Sequence, residues 1–363
     1  HLYIDRKIVV EQLEDVKAVY SIAFHRAELG VARRLLALAQ YPVSKVVFDV
    51  DQVIDLIEKE EGINLASNQR EAVHQAVNKG VLIITGGPGT GKTTTIKAII
   101  SIFERMGLKV ELCAPTGRAA KRMQEATGRE AKTIHRMLEY GHGDKDEDMV
   151  FQRNEDLPLE ADVIIVDEVS MVDILLMNNL LKAIAEGTRL ILVGDVDQLP
   201  SVGPGCVLKD LINSEAVTVV RLNEIFRQAE ESLIVVNAHR INRGEAPILN
   251  RKDKDFFFIR EESQIGILDR IKELCKERLP KFSGYNSNDG IQVLSPMKKG
   301  ICGVFNLNLE LQKILNPPHI SKNEISYRDV IFREGDKVMQ IRNDYKMKWQ
   351  SLTDPDYEGQ GVF

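Results

Sequence analysis

Short apolar runs and amphipathic stretches alternate along the chain from about residue 61. In chain order they lie at residues 81–85, 92–106, 109–114, 117–127, 163–166 and 190–193. Near-continuous apolar runs of strand length are typical of strands that are buried on both faces of a sheet. Strands that alternate with helices predict a parallel sheet covered by helices on both faces. We therefore predict an α/β domain over residues 61–220.

The regions on either side of this domain carry other patterns. Residues 1–60 contain Ala- and Leu-rich stretches with helical periodicity and predict a helical segment, either a packing module or the end of an upstream domain. A second α/β region is expected from about residue 217, with predicted elements at residues 232–243, 291–294 and 304–315. Inside the first domain, a polar and acidic stretch at residues 141–160 predicts either a surface hairpin or a long loop.

Composition limits the classes of protein to be considered. The 363 residues exceed what one hydrophobic core usually organises, so two or three domains are expected. The longest apolar runs are far shorter than a membrane span, and no signal peptide is visible. The four cysteines are scattered without a metal-ligand spacing, so we interpret them as reduced thiols of a cytoplasmic protein. The first residue is His1 rather than methionine, which suggests a piece of a longer protein.

Net charge narrows the choice of partner only slightly. The chain carries a formal charge of −6, so its overall field weakly repels nucleic acid. Any contact with DNA must therefore come from local basic groups.

The strongest chemical signal is a glycine-rich turn between the apolar run at 81–85 and the helical stretch at 92–106. Residues 86–93 fit the pattern G-x-x-x-x-G-K-[ST], whose backbone N–H groups cradle phosphate oxygens. In this pattern Lys92 bridges the β- and γ-phosphates, and the Thr93 hydroxyl binds Mg²⁺. A dinucleotide-binding pattern fails, because its last glycine would fall on Lys92. The predicted nucleotide-binding residues are Gly87, Pro88, Gly89, Thr90, Gly91, Lys92, Thr93 and Thr94.

Polar residues follow two of the other predicted strands. Asp167 and Glu168 come directly after the apolar run at 163–166, where ligands bind in open α/β sheets. Asp167 is predicted to hold Mg²⁺ through water, and Glu168 to polarise the attacking water. Gln198 follows the run at 190–193 and is a candidate sensor of the γ-phosphate, although a polar loop residue is the alternative interpretation.

The ordered set of motifs resembles superfamily 1 helicases, and specifically the RecD-like 5′→3′ DNA helicases. Besides the phosphate motif, the matching segments are NQREA at 68–72, APTGRAA at 114–120, TIHR at 133–136, VDEVSM at 166–171, GDVDQLPSVGPG at 194–205 and LNEIFRQ at 222–228. The resemblance covers roughly residues 61–350. It implies an α/β fold of the P-loop NTPase class, in which a first RecA-like domain precedes a partial second one at 221–330 and a small β-barrel-like insertion starts at 331–363.

The resemblance also implies roles for particular residues. Gln69 would pair with the N6 and N7 edge of adenine, and Arg227 would reach across a cleft as an arginine finger. The stretch at 149–153 would form part of a strand-separating wedge. The implied cofactors are ATP and Mg²⁺, and the implied partner is single-stranded DNA or a single-strand/duplex junction. The implied DNA contacts are Pro115, Thr116, Gly117, Arg118 and His135.

Two other functions are compatible with the nucleotide motifs. One is a P-loop ATPase that remodels proteins or acts as a switch without moving on DNA, and the other is an RNA helicase of the same superfamily. The direction of movement and a role in DNA repair or recombination rest on the resemblance alone. The chain ends at Phe363, before the later motifs of the family, so we expect it to bind nucleotide and to unwind DNA weakly or not at all.

Overall fold

The structure is a computed structural model that describes residues 7–43, 48–142, 149–226, 231–249, 251, 253–284, 290–328, 330–339, 344–350 and 358–362. The chain divides into two compact units, of which the first runs to Phe256 and the second begins at Phe257. The predicted nucleotide-binding residues all belong to the first unit.

The first unit combines a central sheet with two small hairpins and surrounding helices. Its strands are β1 (Ile8–Leu13), β2 (Val16–Ser21), β3 (Val81–Gly86), β4 (Val110–Ala114), β5 (Ala131–Thr133), β6 (Tyr140–His142), β7 (Met149–Phe151), β8 (Val163–Val166), β9 (Arg189–Gly194) and β10 (Thr218–Leu222). Its helices are α1 (Ile22–Gln40), α2 (Val50–Glu61), α3 (Ser67–Asn78), α4 (Lys92–Arg105), α5 (Gly117–Thr127), α6 (Ile134–Met137), α7 (Ile174–Lys182), α8 (Val207–Asn213) and α9 (Leu233–Asn242).

Among the described strands, six form one parallel sheet in the order β10-β3-β9-β8-β4-β5. Alternate side chains of β3 enter different cores, because successive strand residues point to opposite faces. Ile83 belongs to the same core as Leu192, whereas Leu82 and Ile84 belong to the same core as Val193. All five side chains are buried, as expected for a sheet covered on both faces. The parallel α/β fold predicted from the apolar runs is confirmed.

The first 60 residues begin with a β-hairpin rather than a helix. β1 and β2 pair antiparallel, with Leu13 opposite Val16 next to the turn. Valine and isoleucine are frequent there, and such β-branched residues favour a pleated surface. The helical prediction is confirmed for α1 and α2 and is wrong for residues 8–21.

The boundary predicted near residue 220 also differs from the structure. β10 hydrogen-bonds to β3 in parallel, with Val220 beside Ile84, so β10 completes the sheet of the first unit. A strand that precedes a helix gives the same local pattern whether it ends one sheet or starts another. The compact division lies further along the chain, after Phe256.

The polar stretch at 141–160 forms a hairpin at its start. β6 and β7 pair antiparallel, with Tyr140 opposite Phe151, so the hairpin interpretation is confirmed and the long-loop alternative is not. The tip of this hairpin, residues 143–148, lies outside the described residues.

The second unit is built from helices and separate hairpins. It contains α10 (Gln264–Glu273), a π-helical turn (Leu274–Arg278), α11 (Leu279–Ser283), α12 (Val304–Leu315), β11 (Glu324–Tyr327), β12 (Val330–Arg333), β13 (Asp344–Gln350) and β14 (Glu358–Val362). β11 pairs with β12 and β13 pairs with β14, both antiparallel.

The strand predicted at residues 291–294 is wrong, because this stretch is irregular. An apolar run becomes a strand only where a neighbouring strand satisfies its backbone hydrogen bonds. Within the described part of the second unit no strands pair in parallel, so the second parallel sheet expected over 221–330 is not found in those residues.

Helix hydropathy and the state of the cysteines complete the description of the fold. None of the helices in the described ranges combines the length and the apolar character needed to cross a membrane. Cys113 and Cys275 are buried free thiols, and Cys206 and Cys302 are free thiols closer to the surface.

Candidate nucleotide-binding site

The phosphate loop, residues 86–93, connects the central strand β3 with helix α4. Gly89 and Gly91 have φ angles of 76° and 78°, in the left-handed region that favours glycine. Gly91 immediately precedes α4, whose first N–H groups favour an anion. The Thr90 side chain is buried, and its hydroxyl donates to the Gly87 carbonyl at 2.9 Å. The strand–loop–helix context that the glycine pattern predicts is therefore present.

The Lys92 side chain folds back onto the phosphate loop. Its Nζ donates to the carbonyls of Gly86 at 2.6 Å and Gly87 at 2.9 Å. Burial lowers the pKa of the Lys92 ammonium, and the carboxylate of Asp195 is the strongest influence in the opposite direction. Lys92 is thus held at the loop as a partly desolvated cation, which interacts more strongly with an anion than an exposed lysine would.

Gln69 contacts the loop from helix α3. Its amide is 1% exposed, donates to the Gly91 carbonyl at 3.1 Å and accepts from the Ala66 N–H at 2.9 Å. The adenine-pairing role predicted for Gln69 uses one donor and one acceptor of the same amide. In this structure both functions are engaged by protein groups, so Gln69 supports the phosphate loop directly.

Two residues beyond β10 cover the outer side of the loop. The Phe226 N–H donates to the Gly89 carbonyl at 3.3 Å. The His239 ring on α9 lies with its Nε2 3.2 Å from the Pro88 carbonyl. A Cβ atom added at Gly87 would approach the His239 ring to 2.6 Å. The sequence identified Phe226 only as part of a motif and gave no reason to place His239 at the loop.

Asp167 and Glu168 follow β8 at the carboxyl edge of the sheet. The Asp167 Oδ1 accepts the Glu168 N–H at 2.8 Å, and Glu168 has a left-handed φ of 54°. Burial raises the pKa of both carboxyl groups, while Lys92 acts to lower both. For Glu168 the neighbouring Asp167 is a second raising influence. A non-glycine residue in this conformation stores backbone strain, which is frequent at functional sites.

Asp195 is a site residue that the sequence interpretation passed over. It follows β9, which lies between β3 and β8 in the sheet, so it stands between the phosphate loop and the acidic pair. Its side chain is 3% exposed and accepts the Asp197 N–H at 3.1 Å and the Gln198 amide at 3.4 Å. The available signal was its position directly after an apolar run, the same argument that selected Asp167.

The magnesium prediction can be tested against the donors present. Thr93 lies in the first turn of α4, and Asp167 lies at the end of β8 on the same edge of the sheet. A hydroxyl and a carboxylate are hard oxygen donors of the kind that Mg²⁺ takes together with waters and phosphate oxygens. The residues therefore fit a nucleotide-bound Mg²⁺, in which few ligands come from the protein.

The remaining residues predicted to act on the nucleotide differ in their positions relative to the phosphate loop. Thr94 lies in the first turn of α4. Gln198 is exposed and hydrogen-bonds to Asp195, so it reaches the site through that carboxylate. Arg227, the predicted arginine finger, lies outside the described residues.

The predicted DNA contacts in the segment 114–120 follow strand β4, which neighbours β8. Pro115, Thr116 and Gly117 are partly buried, and Arg118 is exposed. The Thr116 hydroxyl oxygen caps α5 by accepting the Ala119 N–H at 3.2 Å. These residues thus lie at the same edge of the sheet as the acidic pair.

His135 lies in an aromatic cluster at the base of the β6–β7 hairpin. Its ring centroid is 5.5 Å from that of Tyr140 and 5.6 Å from that of Phe151, and the latter two rings are 4.6 Å apart. Burial lowers the pKa of His135, although Asp173 acts in the opposite direction. A neutral, partly buried imidazole is better suited to packing the hairpin than to binding a phosphate as a cation.

Two family models match the chain. The model of an AAA domain matches residues 69–204, and the model of an ATP-dependent RecD-like DNA helicase SH3 domain matches residues 307–363. The first match contains the phosphate loop and the acidic pair. The second contains most of α12 and the described strands β11 to β14.

Known proteins similar to this chain include a RecD2 helicase and a RecD subunit. The ATP-dependent RecD2 DNA helicase of Deinococcus radiodurans is 38% identical over 320 residues, which are 88% of this chain and 41% of that protein. The RecBCD enzyme subunit RecD of Mycolicibacterium smegmatis is 38% identical over 205 residues, 49% of this chain and 36% of that protein. The Pif1 helicase structure of Candida albicans has a TM-score of 0.37 and 26% identity over 51% of this chain and 45% of that chain.

The chain spans less than half the length of these two curated relatives. The phosphate loop, Gln69, the acidic pair and the segments after β4 and β9 fall within the matched AAA domain. His239 lies between the two matched domains.

Proposed function

Because this chain belongs to the RecD-like helicases, we propose that the protein is an ATP-dependent DNA helicase that translocates on single-stranded DNA in the 5′→3′ direction. The observation that carries the proposal is the meeting of Lys92, Asp167, Glu168 and Asp195 at one edge of a parallel sheet. A cation at the phosphates and a carboxylate for the attacking water are what hydrolysis of a terminal phosphate requires. DNA repair or recombination is the proposed setting, and the cytoplasm is the proposed location.

In the proposed nucleotide site, each group has one task. The phosphate loop and Lys92 bind and orient the phosphates of ATP, and Glu168 takes a proton from the attacking water. Thr93 and Asp167 hold Mg²⁺, which supplies charge neutralisation on the phosphates. Arg227 is proposed to stabilise the charge of the transferring phosphate.

The DNA path is proposed to follow the edge of the sheet beyond β4. Thr116 and Arg118 follow β4, which neighbours the strand that carries the acidic pair. A structural change at the ATP phosphates could therefore reach a DNA-phosphate contact across two adjacent strands. The β6–β7 hairpin is proposed as the strand-separating wedge. The aromatic cluster and an ion pair of 2.9 Å between Arg153 and Glu139 support its base.

The first test is ATP hydrolysis with and without single-stranded DNA, measured on this chain and on the full-length protein. We expect DNA to stimulate hydrolysis by the full-length protein and Lys92→Ala to abolish it. Binding of ATP with no response to DNA would instead favour a P-loop ATPase that does not translocate. Equal stimulation by RNA would favour an RNA helicase.

The wedge has a separate test in the full-length protein. Deleting residues 146–156 should abolish unwinding of a forked duplex while DNA-stimulated hydrolysis of ATP persists. Unwinding that survives the deletion would contradict the wedge assignment without affecting the proposed ATPase site.

A further inference from the structure

The carbonyl groups of the phosphate loop require donors. A loop that turns its N–H groups toward an anion turns its carbonyls outward, where each needs a hydrogen-bond partner. Lys92 serves Gly86 and Gly87, and Gln69 serves Gly91. The carbonyls of residues 88 and 89 are served from the chain that follows β10, by His239 and by the Phe226 N–H.

His239 can donate to the Pro88 carbonyl only when its Nε2 carries a proton. A carbonyl oxygen is purely an acceptor, so the ring nitrogen facing it must carry a proton. At 3.2 Å from the Pro88 oxygen, that nitrogen is Nε2. The hydrogen bond therefore fixes Nε2–H as the donor and directs the edge of the ring at the loop.

The lack of a side chain at Gly87 leaves room for the His239 ring. The phosphate motif leaves this position free, and the backbone at Gly87 does not adopt a left-handed φ. A Cβ atom at Gly87 would nevertheless lie 2.6 Å from His239 Cε1 and 3.3 Å from its Nε2. A side chain at residue 87 would therefore displace the His239 ring from its present position.

Helix α9 is part of an internally bonded segment, residues 231–249, 251 and 253–255, which we call the helical arm. Asp255 accepts the Leu233 N–H at 2.7 Å at the start of α9. Asn237, which is fully buried, exchanges two hydrogen bonds with the backbone of Ile248, at 2.9 and 2.7 Å. The Arg240 side chain donates to the Ala246 carbonyl at 2.9 Å.

The contact with Pro88 is different in kind. Among the residues of the helical arm that the structure describes, the other side-chain hydrogen bonds stay within the arm. His239 is thus the side chain that ties the arm to the phosphate loop. Any change of the loop backbone on nucleotide binding acts directly on this bond.

We propose that His239 is a positioning residue of the nucleotide site, which braces the phosphate loop through the Pro88 carbonyl and thereby couples the helical arm to nucleotide binding. The inference rests on the proposed function, because it assumes that the loop binds a nucleoside triphosphate. Coupling is reciprocal, so nucleotide should order the arm by the same factor by which the intact contact strengthens nucleotide binding.

The test uses the complete chain, with ADP and ATPγS as probes in the presence of Mg²⁺. His239→Ala should weaken binding of both about three- to tenfold, the equivalent of about 0.6–1.4 kcal/mol. His239→Gln, which can place an N–H near the same carbonyl, should restore most of the affinity. Arg240→Ala is the comparison variant on the same helix, because it removes a hydrogen bond within the arm and leaves the His239–Pro88 contact in place, and its loss of affinity should be smaller than that of His239→Ala.

Hydrogen exchange separates coupling from a general loss of structure. In the wild type, nucleotide should slow amide exchange both in the phosphate loop and in α9. In His239→Ala the loop should still respond while α9 no longer does. Gly87→Ala should mimic this loss in the wild-type background and add little in the His239→Ala background, because both changes remove one contact.

The outcomes distinguish the two levels of inference. If the wild-type chain binds neither nucleotide, the proposed function fails and this inference fails with it. If the wild type binds but His239→Ala shows unchanged affinity and an unchanged response of α9, the role of His239 is refuted while the proposed nucleotide site stands.

Discussion

The two units of this chain bury their apolar side chains to very different extents. The first unit holds two extensive cores, one on each face of the parallel sheet. In the described part of the second unit, Cys275 and Leu307 are the buried apolar residues, whereas Phe282 and Phe305 remain 74% and 60% exposed. A sheet with helices on both faces removes most apolar area from water, and separate two-stranded hairpins remove little. The candidate site residues therefore lie in the unit that buries more apolar side chains.

The largest change in stability is expected when a buried side chain is truncated, in one variant of the first unit and in a separate variant of the second. Ile83→Ala removes a fully buried side chain from the centre of the sheet and should destabilise the first unit by about 2–5 kcal/mol. Leu307→Ala should speed amide exchange in the second unit and leave the transition of the first unchanged. Chemical denaturation, monitored by hydrogen exchange, measures the stability of the first unit and the exchange of amides in the second. If Leu307→Ala lowers the stability of both units together, the two are one cooperative structure and the comparison is wrong.

The next effect concerns the charge at the phosphate loop. Lys92→Ala removes a partly desolvated ammonium and should weaken nucleotide binding about 10- to 150-fold, since hydrogen bonds to charged groups contribute about 1.5–3 kcal/mol. Lys337→Ala is the matched control in the second unit, where that lysine donates to the Ile291 carbonyl at 3.4 Å. Titration calorimetry with ADP and Mg²⁺ is the measurement. Equal losses in the two variants would remove the assignment of the site to the first unit.

A smaller effect is expected from the amide that supports the loop. Gln69→Ala leaves the Gly91 carbonyl and the Ala66 N–H without this partner, so we expect about tenfold weaker binding of ATP and of GTP alike. The second unit offers Gln312→Ala as control, since Gln312 donates to the Ile331 carbonyl and to Asp336 and lies far from any phosphate motif in sequence. A loss confined to ATP would show that Gln69 reads adenine, as first predicted.

The smallest effect is on the pH dependence of stability. Because burial raises the pKa of Glu168 in the folded state, its contribution to stability is present below the unfolded pKa and lost as pH rises through the folded pKa. Glu168→Gln should therefore slightly raise the thermal midpoint near neutral pH, with a gain that shrinks in acid. The variant should also lose ATP hydrolysis while it retains nucleotide binding.

Glu310 in the second unit gives the opposite sign. Hydrogen bonds from Lys313 and Lys272 lower its pKa, so its contribution is present above the unfolded pKa and lost as pH falls through the folded pKa. Glu310→Gln should slightly destabilise the second unit near neutral pH, as expected of an exposed ion pair. Parallel thermal melts of both variants between pH 4 and 8 would contradict this account if their shifts had the same sign.

Local pattern predicted much of the first unit and one helix of the second. The helices at 92–106, 117–127 and 304–315 and the strands at 81–85, 163–166 and 190–193 were placed within one or two residues of their observed bounds. These elements have a strong period or a continuous apolar run, so the signal lies within one segment. The hairpin at 8–21 and the false strand at 291–294 are short, and their state depends on a partner segment that periodicity does not reveal.

The candidate site divides in the same way. The phosphate loop, Asp167 and Glu168 could be identified from sequence because their chemistry depends on neighbours in the chain. Asp195 could have been found by the rule that selected Asp167, once β9 was known to lie between β3 and β8. His239 could not, since 151 positions separate it from Pro88 and a lone histidine on a helix carries no motif.

The α/β class, the candidate phosphate loop with its acidic pair, and the resemblance to RecD-like helicases could all be predicted from sequence. These follow from periodicity and fixed spacing, which act over a few residues at a time. Other features became visible only in the three-dimensional structure. β10 joins the first sheet, and the charge of Asp195 acts on Lys92. His135 packs in an aromatic cluster, and the His239 ring lies in the space beside Gly87. Each of these features depends on strand order or on close packing between segments that are distant in sequence. The pattern of one segment alone therefore does not predict it.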